Sequence, residues 1–297
     1  MKEEIIEKYI KAGKIAALAL KKIYDYISPK KHIDLRDVAE KAESFILESG
    51  AKLAFPCNIG FNQLAAHFTP IKKETIVFDK GLLKIDVGAH IDGYIADTAI
   101  TIARGKEFHD IIRVNKQILE FIIDQLRPGI KLGYLGGIIE DEVKKEGYKV
   151  IENLSGHLID RYNLHAGKNF PNVKEYFSST IKAGEVYAIE PFVTFDSGAG
   201  KVVSGDLITI YSLSKTKKIK DKNLDKVRRY IMSNYGPLPF TYRWMEDVFS
   251  EEMLNKLFGM GIIKGYPVLI EAKGVPVSQY EHTVIVLEDE IIVTTNI

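Results

Sequence analysis

The 297-residue sequence has one cysteine, Cys57. An internal disulfide is therefore excluded and a reducing compartment is expected. Imbalance of charge is also missing. The chain has 41 basic and 40 acidic residues, a formal net charge of +1, so no global field favours nucleic acid or anionic lipid. No apolar run approaches the roughly 20 residues of a membrane-spanning helix. No tract is of low complexity, and the charged opening "MKEEIIEKYIKAGKIAALAL" has no cleavage-site pattern. These absences point to a cytoplasmic protein with no membrane partner and no specific nucleic-acid partner, a monomer by default. What is present is ordinary globular composition, 46% hydrophobic and 27% charged, enough for a large core.

Residues 3–27 carry apolar side chains at helical spacing, and "SPKKHID" interrupts them. Asp34 is placed to cap a second helix that ends at Gly50. "AKLAFPCNIGFNQLAAHFTP" reads as irregular, bounded by prolines. Helices are expected over 107–126 and 134–146, followed by a mostly looped "VIENLSGHLIDRYNLHAGKNFPN". Strands are expected at "EVYAIEPFVTF", near "DLITIYSL", at "YPVLIEA" and along the C-terminal segment. A lysine-rich helical stretch over about 213–266 reads as an insertion within one catalytic domain spanning 1–297. Paired helices alternating with strands indicate an α+β fold.

"KIDVGAHIDGYIADTA" is a predicted hairpin. Asp92-Gly93 is a two-residue turn signal, which pairs Ile91 with Tyr94. Asp86 then faces Ala99, and Asp97 faces Gly88. The two acids become diagonal neighbours on one face, about 7–8 Å apart. That face also holds Lys84, His90 and Thr101, while Ile85, Val87, Ala89 and Ala96 form a core-facing side. Carboxylates this close repel each other unless a proton, a cation or a metal intervenes; the plainer alternative is a solvated outer face.

Three later stretches add to this pair. His157 and His165 lie in the glycine-flanked "GHLIDRYNLHAG", and Glu190 and Glu281 stand within apolar β segments. A carboxylate in such a run is costly unless it is paired or metal-bound. Each of these has a bland reading on its own, as a loop histidine, an edge residue or half of an ion pair. Two aspartates, one histidine and two glutamates together form a hard, oxygen-rich ligand set, suited to a pair of cations about 3.5–4 Å apart.

The sequence resembles the type 2 methionine aminopeptidases, in the short form without an N-terminal extension, over nearly its whole length. "FPCNIGFNQLAAHFTP", the two-aspartate hairpin, "GHLIDRYNLHAGK", "AIEPF" and "QYEHT" match that family's ordered motifs, and "YGPLPFTYRW" falls in its helical insertion. Gly60 stands where the family usually has serine. The resemblance implies a pita-bread fold with two similar halves around a metal centre. It implies two divalent ions (Co, Mn, Fe or Zn) held by Asp86, Asp97, His157, Glu190 and Glu281. It implies Glu190 as general base, with His67 and His165 at the substrate. Phe55 and Tyr266 match pocket positions for the methionine side chain, and Leu164, beside His165, is a further candidate for that pocket. The implied substrates are nascent polypeptide N-termini near the ribosome, with a small second residue. Two rivals remain at this point: a prolidase-like dipeptidase of the same fold, and a catalytically dead relative that binds ribosomes or RNA through "SKTKKIKDKN".

Overall fold

In the computed structural model, which describes residues 1–215 and 219–296, the helices begin as local chemistry dictates. The first, Glu3–Ile27, buries Tyr9, Ala12, Ala16, Leu20, Ile23 and Ile27, a spacing that puts them on one stripe. Asp34 caps the second, Leu35–Glu48, by accepting from the backbone N–H of Arg36 and Asp37. Both pack on a three-stranded antiparallel sheet ordered Lys52–Phe61, Gly81–Ile91, Tyr94–Arg104. A second helix pair, His109–Asp124 and Leu132–Lys145, backs a five-stranded sheet. Its order is Ile291–Val293, His282–Val286, Glu185–Ile189, Ser155–Ile159, Asn169–Pro171. The α+β expectation holds, and the two similar halves that the resemblance implies correspond to these two helix-backed sheets. No described helix is long and apolar enough to cross a membrane.

The sheets are stitched together where their strands carry acids. Ala99 bridges Glu281. Thr283 Oγ1 donates to the Asp97 carbonyl at 2.8 Å, and the Thr98 and Thr101 hydroxyls donate to the carbonyls of Glu281 and Gln279 at 2.8 and 2.6 Å. The chain ends brace the same seam. The Thr294 amide donates to the Thr283 carbonyl at 2.9 Å, and the first helix passes so close to Thr294 that a Cβ on Gly13 would meet its carbonyl oxygen at 2.2 Å.

Three local expectations are corrected, and one alternative is excluded. Lys52–Phe61, read as irregular, is a ten-residue strand; Pro56, which has no N–H to offer a ladder, sits where its register slips between Phe55 and Asn58. The stretch read as mostly loop contains Ser155–Ile159 and Asn169–Pro171, paired with each other. Glu190 and Glu281 are not inside continuous strands. Glu190 lies in the break between Glu185–Ile189 and Phe192–Phe195, just before Pro191, and Glu281 in the break between Val277–Gln279 and His282–Val286. Finally, the polar face of the hairpin is not a solvated one: Lys84 and Asp97 are 1% and 4% exposed, because the second sheet covers them.

The stretch expected as a helical insertion is rooted in a long ribbon. Val202–Leu213 pairs antiparallel with Ile263–Glu271 from Val202↔Glu271 to Leu213↔Ile263. Beyond that root, Lys222–Asn234 and Glu251–Gly259 gather Val227, Ile231, Phe240, Leu254 and Leu257 into their own apolar cluster. Residues 216–218 of the lysine-rich run lie outside the described residues, as does residue 297 of the expected 1–297 domain.

Candidate metal centre

The hairpin register is the one the Asp92-Gly93 turn requires. Ile91 pairs with Tyr94, Asp86 with Ala99 and Gly88 with Asp97. Asp92 and Gly93 have φ of 53° and 87°, the left-handed pair of a type I′ turn. Asp86 and Asp97 therefore project toward the second sheet, where His157 stands on Ser155–Ile159 beside Ala188. Ligand atoms of Asp97, His157 and Glu281 lie within 4.8 Å of one another. His157 Nε2 is 3.6 Å from Asp97 Oδ2 and 4.0 Å from Glu190 Oε1. Asp86 and Glu190 stand outside the tight trio and line the same cavity, of about 300 Å³.

That cavity also brings together His67, His165, Phe55, Tyr266 and Leu164, so all ten candidate residues border one space. His67 ends the short strand Leu64–Ala66 at a left-handed φ of 64°. Its Nδ1 is 3.3 Å from the Pro267 carbonyl and its ring meets the Tyr266 edge at 5.6 Å. His165 lies against His157, ring centroids 4.4 Å apart. Gln279 and Pro239 are among the residues of this wall that the sequence did not single out. Gln279, inside the quoted "SQYEHT", donates from Nε2 to Glu190 Oε2 at 3.2 Å. Pro239, inside "YGPLPFTYRW", borders the cavity from the stretch between the strands Val202–Leu213 and Ile263–Glu271. Both were visible in motifs, but neither residue type has ligand chemistry that singles it out.

The electrostatics identify what the cluster needs. Burial, followed by the charges of the neighbouring acids, drives Asp86, Glu190 and Glu281 well above the ordinary carboxylate range. Burial also lifts Asp97 to about 7 and pushes His157 down to about 4. Asp86 Oδ1, Asp97 Oδ1 and Glu281 Oε2 are buried with no hydrogen-bond partner. Orphaned acceptors grouped this tightly cost free energy. A divalent cation resolves the conflict by accepting lone pairs and offsetting negative charge, and carboxylate oxygens with one imidazole are hard-cation ligands. The residues present fit such a group.

The profile of metallopeptidase family M24 matches residues 7–212. The chain belongs to metallopeptidase family M24. Within it, the chain is 42% identical over 303 residues to a methionine aminopeptidase of Saccharolobus solfataricus, covering 99% of each. It is 41% identical over 296 residues to a methionine aminopeptidase of Pyrococcus horikoshii, covering 98% of this chain and 99% of that one. A crystal structure of a methionine aminopeptidase from Thermotoga maritima superimposes with a TM-score of 0.73 at 21% identity, covering 100% of this chain and 98% of the other. The two helix-backed sheets form the pita-bread fold of that structure. As an M24 member the protein is a metal-dependent hydrolase.

Proposed function

We propose that the protein removes the N-terminal methionine from nascent polypeptides, with two divalent ions (Co, Mn, Fe or Zn) held by Asp86, Asp97, His157, Glu190 and Glu281. The observation that carries this reading is the convergence of four carboxylates and an imidazole, from five separate segments, on a cavity with an apolar wall. The near-full-length likeness to archaeal enzymes named methionine aminopeptidase supports it. A divalent pair in that cluster supplies charge neutralisation, a polarised carbonyl and an acidified water.

The chain's own residues divide the remaining work. Glu190 is the general base; Gln279 holds its Oε2, which leaves Oε1 toward His157 and the cavity. A carbonyl can only accept, so the contact with Pro267 fixes the proton of neutral His67 on Nδ1 and leaves Nε2 as an acceptor facing the substrate amide. Burial lowers the His67 pKa and favours that neutral form. His165 borders the cavity while remaining exposed at its mouth; desolvation by the surrounding protein, with a smaller push from His157, holds its pKa below the ordinary imidazole value. It is therefore a neutral N–H donor to the carbonyl oxygen that gains charge in the transition state. Asp97 accepts from the free α-amino group, a partner that an internal peptide bond lacks, which selects cleavage at the chain end. Phe55, Leu164 and Tyr266 form the wall for the methionine side chain, whose flexible thioether packs well on aromatic faces. These substrates are met in the cytoplasm near the ribosome by a monomeric enzyme.

The test is an assay of purified protein on methionyl peptides after chelation and metal add-back, with the second residue varied from Gly to Leu and Leu-Pro as a control. Cleavage of Met-Gly-Met-Met that falls as the second residue grows is the expected result. Asp97→Ala is expected to abolish it together with metal binding. Turnover of Leu-Pro alone, or an active Asp97→Ala protein, contradicts the reading.

A further inference from the structure

The motif "YGPLPFTYRW" reaches the site in two ways. Pro239 touches the cavity directly, whereas Arg243 does not line it. Arg243 is buried, its side chain 3% exposed, and pairs with Glu43, itself 6% exposed. The pair is bidentate: Nη1 to Oε2 at 2.7 Å and Nη2 to Oε1 at 2.8 Å. The remaining donors go to one loop, with Nε reaching the Pro70 carbonyl at 3.0 Å and Nη2 reaching Thr69 Oγ1 at 3.1 Å. Glu43 is satisfied from other sides by Trp244 Nε1 at 2.9 Å and the Cys57 amide at 3.1 Å. One ion pair therefore ties the insertion to the strand that carries Phe55 and to the segment that follows His67.

Such a pair is a weak source of stability, because desolvating two charges offsets most of their attraction. Its geometry is what a hydrophobic replacement would lack. Five rigid guanidinium donors fix the direction of every acceptor they meet. His67 needs that fixing. A non-glycine residue at φ of 64° is strained and persists only where its surroundings over-determine it. On its N-terminal side Ala66 pairs with Leu269. On its C-terminal side the Phe68 carbonyl accepts from the Ile59 amide at 2.8 Å, the Thr69 amide donates to Thr209 Oγ1 at 3.0 Å, and Arg243 adds its two contacts to Thr69 and Pro70.

We propose that Arg243, held by Glu43, is a positioning residue for His67: from the helical insertion it clamps Thr69 and Pro70 and so keeps the His67 ring aimed at the substrate. This rests on the assignment of His67 to substrate handling. The guanidinium touches neither substrate nor metal ligand, so its effect on turnover must pass through His67.

The experiment is a double-mutant cycle on Met-Gly-Met-Met hydrolysis by the metal-loaded enzyme, with Tm and metal stoichiometry recorded for each protein. Arg243→Lys keeps the charge and loses the fork. In the otherwise wild-type protein it is expected to lower kcat/KM about tenfold, as misplacing a catalytic group by a fraction of an ångström does. In a His67→Ala background the same change is expected to alter the residual rate less than about twofold. Thr69→Val provides a second arm if Arg243→Lys folds poorly, since it conserves volume, leaves the Glu43 pair intact and removes one clamped hydroxyl. It is expected to show the same dependence on His67. Equal losses in both backgrounds, or no loss in either, overturn the proposal. A wild-type protein inactive on methionyl peptides overturns the functional reading itself, and an unimpaired His67→Ala protein overturns the role of His67; each is distinguishable from failure of the clamp.

Discussion

Gly88 lies opposite Phe55 in the first sheet, and a Cβ placed there would come within 2.2 Å of the aromatic ring. The absence of a side chain is what lets the ring lie flat against the strand and form the cavity wall. Gly88→Ala forces that ring to move, an overpacking that costs about 1–3 kcal/mol. The expected outcome is a lower Tm and a several-fold higher KM for methionyl peptides. An unchanged KM would remove Phe55 from the substrate wall. Residue types made much of the site legible, because acids and a histidine set among apolar residues declare an unmet electrostatic need. The supporting residues declare nothing. Gln279, Pro239 and Arg243 act through contacts made across the fold, and their chemistry in isolation is that of any polar, bent or surface residue.

At the scale of the element, the hairpin was the most legible part of the molecule, since a two-residue turn fixes every later pairing. Its burial was not legible, because alternation along a strand does not reveal a second sheet lying over the polar side. The end of the hairpin carries a pH-dependent lock. His90 Nδ1 accepts from the Gly93 amide at 3.0 Å and its ring meets the Tyr162 edge at 5.5 Å. Burial, with a smaller push from Lys52 against a pull from Asp92, lowers its pKa from 6.5 to about 4. Glu40, Glu43 and Lys52 border the surface cavity beside it. The fold favours the neutral ring, so this contribution is complete above about pH 6.5 and is lost as pH falls toward 4. His90→Asn keeps an acceptor but cannot take up the proton. The Tm gap between wild type and His90→Asn is therefore expected to narrow from pH 7 to pH 4.5; a gap that stays constant contradicts the lock. The insertion illustrates the opposite limit. Its helices were readable from periodicity, but the ribbon that roots it was not, because Val202–Leu213 and Ile263–Glu271 are far apart in sequence and pair with two register shifts.

At the scale of the molecule, two helix-backed sheets meet across a cluster of acids that repel one another. Bound divalent metal turns that repulsion into attraction, so metal and fold stabilise each other. Ligand at 100 times its Kd contributes about 2.7 kcal/mol. Chelation is expected to lower Tm by several degrees, and metal add-back to restore it in proportion to the logarithm of metal concentration. The Asp97→Ala protein is expected to lose most of this sensitivity. A wild-type Tm indifferent to chelator would contradict a cation between the sheets.

The contact between the first helix and Thr294 orders these events in time. Thr294 braces Thr283, and Thr283 holds the backbone of Asp97. A chain still being synthesised has made its first helix long before the residues that lie against it exist. The seam closes only once Thr283 and Thr294 have been made. A growing copy therefore holds an open acid cluster, unable to gather its cations, until Thr283 and Thr294 have been added.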